Sequence, residues 1–286
     1  MFRLGYNTNG LAHHRPLDAL ELLADLGYEG MALTPDVGGL DPFQLDRRAV
    51  AALAAASRDL GMELAIETGA RFVMDGRRKH FPTLLEDDAV QRERRVDFLR
   101  RCLDLGAELG ASVLSLWSGR APDGARAEDG ADSRHWDRLC AGIERVIAHA
   151  REAGLQLAFE PEPGMFVERP AGYDDLVRRL GAAGEGLGLC IDVGHLFVTG
   201  DLPVGDELRR RAPRLVHVHL DDVRGRVHEH RMFGEGELDL AETLGALLEI
   251  GFDGMGAVEL SRDSHRGAQA AEEALGHLRR TLAGLT

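Results

Sequence analysis

Short apolar runs alternate with helix-length amphipathic stretches along the whole chain, and no other feature restricts the fold so strongly. Eight such pairs are legible, with the apolar runs at about 3–7, 30–34, 63–67, 112–117, 156–160, 188–192, 215–220 and 255–260. The intervening stretches repeat at three and four, as in Leu17-x-x-Leu20-x-Leu22-Leu23, Val96-x-x-Leu99-x-x-x-Leu103 and Leu244-x-x-Leu247-Leu248, which is the spacing of one helix face. Glycine closes several of them, at Leu26-Gly27, Leu60-Gly61, Leu109-Gly110, Ala153-Gly154 and Ile250-Gly251. Asp239 with Glu242 reads as an N-cap and capping-box pair opening the seventh of these helices. Parallel strands need crossover helices and closure removes sheet edges, so the pattern predicts a (β/α)8 TIM barrel as a single domain over 1–286. A doubly wound open sheet is the alternative. No GxGxxG follows the first strand and no GxxxxGK[ST] occurs, so neither a dinucleotide site nor a P-loop is expected. The stretch 119–133, rich in Ala, Asp and Gly, reads as a surface insertion in the fourth unit.

At 286 residues and 44% hydrophobic, the chain can bury a large core. A formal charge of −14 opposes an extended phosphate backbone, because non-specific nucleic-acid affinity comes from Lys and Arg, so no nucleic-acid partner is expected. No apolar run approaches the roughly 18 residues that span a bilayer, and Met1-Phe2-Arg3-Leu4 passes straight into a strand-like segment. The expectation is a cytoplasmic protein with no membrane partner. Cys102, Cys140 and Cys190 form no CxxC pair and read as small core residues.

In such a barrel the C-terminal strand ends carry the chemistry. Acids and imidazoles collect there on four consecutive strands: Phe159-Glu160-Pro161-Glu162-Pro163, Asp192-Val193-Gly194-His195, His219, and Val258-Glu259-Leu260. A buried carboxylate is costly unless paired or bound to a cation, so several of them facing one mouth call for a metal. The stretch 215–239, LVHVHLDDVRGRVHEHRMFGEGELD, adds His228 and His230 in a loop after the seventh strand.

FEPEPG, IDVGH, HVHLDD and the closing VEL resemble the xylose isomerase-like barrel superfamily, which includes sugar and sugar-phosphate isomerases and epimerases and the endonuclease IV family. The resemblance extends over essentially the whole chain in its unit order. It implies one divalent ion held by Glu160, Asp192, His219 and Glu259, with Glu160 and Glu259 also serving as the acid/base pair of a sugar isomerase or epimerase. The ligand types leave Mn, Zn, Co and Mg open. In the sugar-converting relatives His195 would contact substrate. In the endonuclease IV branch the corresponding His joins an acid-x-His pair, here His228 and His230, around a further zinc, which implies a second ion and a metal-dependent hydrolase or lyase as the alternative. The remaining zinc histidines of that branch have no counterpart, since the second and third strands run into Thr34-Pro35-Asp36 and Glu67-Thr68-Gly69.

Other residues carry two readings each. Glu162 meets a substrate hydroxyl or caps a turn, and His13 and His14 overhang the mouth or are ordinary loop histidines. Trp117 stacks on a sugar face or packs in the core. Arg71 and the run Arg77-Arg78-Lys79-His80 clamp a phosphate or carboxylate, or are a solvated charge run. Arg92-x-Arg94-Arg95 and Arg100-Arg101 read as the outer face of a helix. The expected partner is a small molecule, a carbohydrate. A homo-oligomer and a non-catalytic metabolite-binding barrel are both compatible with the sequence, although the full ligand set argues against the latter.

Overall fold

The computed structural model describes residues 2–69, 71–130 and 132–285. Its strands are β1 (Arg3–Asn7), β2 (Gly30–Leu33), β3 (Glu63–Glu67), β4 (Val113–Leu116), β5 (Gln156–Phe159), β6 (Leu187–Asp192), β7 (Leu215–Leu220) and β8 (Met255–Val258). The helices are α1 (Pro16–Leu26), α2 (Arg47–Leu60), α3 (Ala89–Leu109), α4 (Ser133–Ala153), α5 (Pro170–Leu180), α6 (Val193–Thr199), α7 (Val204–Arg211), α8 (Leu240–Glu249) and α9 (Gly267–Leu285). The strands form a closed parallel barrel in chain order, which rules out the doubly wound alternative. Several strands stop a residue or two short of the apolar runs. Leu33 and Phe159 end β2 and β5 just ahead of Thr34-Pro35 and Glu160-Pro161, where proline offers no N–H to continue a ladder. Among the described residues no helix is long and apolar enough to cross a membrane.

By internal contacts the chain divides into two compact units, one of 1–33, 55–64 and 189–286 and one of 34–54 and 65–188. In the first unit, β1 pairs with β2 (Gly5↔Gly30) and with β8 (Gly5↔Ala257), and β7 pairs with β8 (His219↔Ala257). Asp192 of β6 lies level with His219 of β7, after a register shift at Leu189/Cys190. Gly5 and Gly30 leave the space that the Met255 side chain fills: a Cβ at either would stand 2.5 Å from its sulfur or methyl carbon. Pro16 opens α1, and Gly27 closes it at φ 94. Leu20 and Leu23 on its inner face are fully buried, each contributing about 1.5–3 kcal/mol of transfer free energy. Asp239 caps α8 by accepting from Glu242 N at 2.9 Å. Glu242 does not return the bond as a capping box would. Its carboxylate accepts instead from Gly205 N at 3.1 Å, tying α7 to α8.

In the second unit, β3 pairs with β4 (Glu67↔Ser115) and β4 with β5 (Leu116↔Phe159). Helices α3 and α4 begin at Asp88 and Asp132, whose side chains accept from the N–H two residues on. Their buried faces include Val96, Phe98, Leu99 and Leu103, and Leu139, Ile143 and Val146. The stretch 119–133 holds a short 3-10 turn, Ala127–Asp129, and is tied back by Ala127 N on Phe166 O at 2.8 Å and by Arg126 on Glu168 at 3.1 Å, while Ala131 lies outside the described residues. Cys102 and Cys190 are buried and Cys140 is half-buried.

Arg95 departs from the expectation that it lies on the outer face of its helix. It lies on the inner face of α3, 2% exposed, donates to Thr68 O at 3.3 Å and sits over the rings of Phe98 and Trp117 at 5.1 and 5.8 Å. Helical spacing explains the inversion, because Arg95 shares the face of Phe98, Leu99 and Cys102 whatever its charged neighbours do. Burial lowers its pKa to about 10.

Candidate metal centre

In the first unit, the ends of β6, β7 and β8 bring Asp192, His219 and Glu259 together. His219 Nδ1 stands 3.1 Å from Glu259 Oε2 and 3.9 Å from Asp192 Oδ2, and its Nε2 lies 3.8 Å from the Cys190 thiol. Asp192 has a double task. Its Oδ1 accepts from His195 N at 2.9 Å, which caps α6 and fixes His195 one turn above the strand. Its Oδ2 is buried and makes no hydrogen bond among the described residues, yet it faces His219 Nδ1 and His230 Nδ1 at 3.9 Å and His195 Nε2 at 3.8 Å. Those separations are too long for hydrogen bonds. They suit donor atoms sharing one cation, since two ligands at about 2.0–2.2 Å from an ion stand at most about 4.4 Å apart.

The electrostatics agree. Burial, and then the neighbouring Asp221 carboxylate, push Asp192 well above the usual carboxylate range. Burial acts the same way on Glu259 but is outweighed by His230 and His219, which hold it well below that range. Burial disfavours charge on His230, but Glu259 and the Asp221 hydrogen bond raise its pKa well above the ordinary imidazole value. Burial, then His228 and His230, hold His195 well below that value. A dense set of acids and imidazoles in which two buried carboxylate oxygens, Asp192 Oδ2 and Asp221 Oδ1, have no hydrogen-bond partner among the described residues is the donor chemistry a divalent cation requires.

His228 and His230 arrive on the loop after β7. His228 Nε2 is 2.9 Å from His195 Nε2, His230 Nδ1 is 2.8 Å from Asp221 Oδ2, and one ring nitrogen from each of His195, His228 and His230 lies within 4.8 Å of the others. The loop is shaped by Asp222, a buried carboxylate unnoticed in the sequence beyond its place in HVHLDD. Its Oδ1 accepts from Val223 N at 2.8 Å and Leu238 N at 2.9 Å, and its Oδ2 from Gly234 N and Gly236 N, each at 2.9 Å. Its backbone pairs both ways with Arg231. A side chain at Gly236 would stand 2.2 Å from Asp222 Oδ1, so the second glycine of GEG is a packing requirement.

Asn9, just past β1, is a second residue missed by the sequence reading: its Nδ2 donates to Glu259 Oε1 at 2.6 Å. Nearby, His13 is exposed, and His14 is half-buried with its backbone N–H on Leu11 O at 2.8 Å.

In the second unit, Glu160 follows β5, is 3% exposed, and continues the ladder through its N–H on Leu116 O at 2.8 Å. Ser115 Oγ donates to Glu160 Oε2 at 3.4 Å. Glu162 is half-buried in a turn, donating to Val167 O at 3.2 Å and accepting from Met165 N at 3.0 Å through its backbone. Trp117 is 8% exposed, meets the His80 ring edge-on at 5.3 Å, and its indole N–H has no hydrogen-bond partner among the described residues. Arg71 is ion-paired with Asp36, and Arg78 with Asp75 at 2.8 Å, so these two guanidiniums already have counter-ions.

A model of the family described as xylose isomerase-like TIM barrel matches residues 20–281. Inosose dehydratase of Lacticaseibacillus casei is 31% identical over 145 residues, 45% of this chain and 48% of that protein, so this match spans about half the relative's length. L-ribulose-5-phosphate 3-epimerase of Shigella flexneri is 26% identical over 250 residues, 85% of this chain and 81% of that protein. Among solved structures, an L-ribulose 3-epimerase superposes with TM-score 0.78 at 20% identity, covering 100% of this chain and 96% of that one, a likeness of fold.

Proposed function

The chain belongs to the xylose isomerase-like TIM-barrel family, and from that premise we propose a divalent-metal-dependent isomerase or epimerase of a sugar, sugar phosphate or related polyhydroxy carbonyl compound. The observation that carries the proposal is Asp192 Oδ2, buried without a hydrogen bond among imidazole nitrogens at 3.8–3.9 Å. Glu160, Asp192, His219 and Glu259, at the ends of four consecutive strands, would hold the ion. Mn, Zn, Co and Mg are all compatible with this donor set. When bound, such an ion polarises a carbonyl and its neighbouring hydroxyl and lowers the cost of losing the proton between them. The sugar substrates named for the Shigella relative and for the epimerase neighbour support the reading.

The protein's own residues supply the proton traffic. Glu259 is held ionised by His230 and His219, with Asn9 fixing one oxygen; the ionised form is the one that can accept the α-proton, at the reduced basicity that a lowered pKa brings. Glu160 is the second carboxylate, buried and touched by Ser115 Oγ, and returns a proton from its own side. The test is exchange of a ketose α-proton with deuterated solvent across a panel of ketopentoses and ketohexoses. Glu160→Gln and Glu259→Gln should each abolish the exchange shown by wild type while keeping an oxygen ligand. Undiminished exchange in either variant would refute the two-carboxylate mechanism.

A second reading has its own observation, the His195, His228 and His230 nitrogens within 4.8 Å of one another. Three imidazoles make a good partial shell for zinc and leave a position for water, which suits a hydrolase or lyase; the L. casei relative is named as a dehydratase. Elemental analysis decides. Two ions per chain, falling to one in His228→Ala/His230→Ala, supports the di-metal route, and one ion in both supports the isomerase.

A further inference from the structure

The loops after β3, β4 and β5, all in the second unit, enclose a cleft of about 200 Å³ whose walls include Lys79, Phe81, Thr83, Arg120, Pro163 and Met165. Among the described residues no acidic side chain lines it. That is notable in a chain with 48 acids against 34 Lys and Arg. Two acids bond the backbone of wall residues without themselves lining the cleft. Glu168 accepts from Gly164 N at 3.1 Å and pairs with Arg126, and Glu86 accepts from Thr83 N at 3.4 Å. Of the cations of the β3 loop, Arg71 and Arg78 are paired with Asp36 and Asp75, whereas Lys79, on the cleft wall, and Arg77, outside it, have no carboxylate within ion-pair distance among the described residues. Arg120 has none either. Its Nε donates to Gly164 O at 3.4 Å, and its carbonyl accepts from Thr83 Oγ1 at 3.1 Å, so the loops that carry the two cations are cross-tied.

We propose that this cleft receives an anionic group, a phosphate monoester or a carboxylate, at the far end of the substrate, with Lys79 and Arg120 as its counter-charges. A guanidinium offers paired N–H donors to either group and an ammonium adds a point charge, while Phe81, Pro163 and Met165 exclude water from one side and strengthen both. The volume equals about six or seven waters at roughly 30 Å³ each, room for one such group and its nearest carbon. Pro163 lies three residues past Glu160 on one loop, so at most about 10 Å of chain separates cleft from carboxylate. The word "substrate" rests on the sugar chemistry proposed above. The anion assignment rests on the cleft alone.

Binding to the full-length, metal-loaded protein tests it, with ribulose 5-phosphate, ribulose and inorganic phosphate as probes. Wild type should bind ribulose 5-phosphate at least tenfold more tightly than ribulose, with the preference weakening as salt rises. Lys79→Ala/Arg120→Ala should bring the ratio near one with ribulose affinity unchanged, and Arg77→Ala, in the same loop but outside the cleft lining, should leave it intact. An unchanged ratio in the double variant, or no preference in wild type, would overturn the proposal. Inorganic phosphate lost from the double variant without any preference for the sugar phosphate would mark a free-anion site and overturn the substrate assignment. Since binding is read without turnover, failed α-proton exchange with the ratio retained would remove the sugar chemistry and leave the anion site.

Discussion

Replacing Asp222 by Asn changes one atom of its side chain and should unfasten the loop that carries His228 and His230. Each carboxylate oxygen of Asp222 accepts from two backbone N–H groups at 2.8–2.9 Å, in a position that water barely reaches. Whichever oxygen becomes an amide nitrogen, two N–H donors lose their acceptor and face another donor. Hydrogen bonds to a charged acceptor contribute about 1.5–3 kcal/mol each, so the two lost bonds amount to roughly 3–6 kcal/mol. Against a typical total of about 5–15 kcal/mol, this is enough to open the segment locally even where the barrel survives. Urea unfolding reads the global part, and hydrogen exchange of the amides at 223, 234, 236 and 238 reads the local part. The expectation is a stability loss of several kcal/mol, or fast exchange confined to this loop with weakened binding of a second ion. A variant within about 1 kcal/mol of wild type, with protection of those amides unchanged, would refute the reasoning.

Asn9→Ala removes the hydrogen bond to Glu259 Oε1, and at about 1.5–3 kcal/mol for a charged acceptor the α-proton exchange rate should fall roughly tenfold to a hundredfold, with folding stability lowered by a similar amount. His80 has a pKa lowered to about 4, chiefly by burial and against the bond to Gly69 O. The unfolded chain therefore takes up this proton first. Stability should be level above pH ~6.5, decline by about 3 kcal/mol as pH falls to ~4, and level off below that, a segment that His80→Asn should flatten in chemical denaturation curves. Chelation should lower the melting temperature of wild type, and restoring an ion at a hundred times its Kd should return about 2.7 kcal/mol, whereas Asp192→Ala should melt alike in both conditions.

The barrel was legible because each unit repeats a local signal: an apolar run, a three-four helix face, a glycine stop. The strand-end acids and imidazoles were legible for the same reason, since position on a strand end is itself local. What escaped was set by partners far off in sequence. Asn9 meets Glu259 across 250 residues, and nothing around Asn9 announces it. Arg71 finds its counter-ion in Asp36, which in sequence only marked a strand end lacking a histidine. Arg95 was hidden by its neighbours, because a run of arginines reads as solvated while helix geometry sends one of them inward. Glu242 kept its place in the capping pattern yet gave its carboxylate to Gly205, a choice made by the adjacent helix.

Met255 and the two glycines it fills, Gly5 and Gly30, amount to one side chain shared among three strands. A change at one of them must be met at another. An alanine at Gly5 must displace a sulfur buried in the barrel interior, at a cost of about 1–3 kcal/mol for overpacking, and a shortened Met255 leaves a void that neither glycine can fill. Volume added at one strand must be withdrawn from another, so in lineages descended from this chain the three sites should drift as a set, a long residue migrating among β1, β2 and β8 while the filled space stays constant.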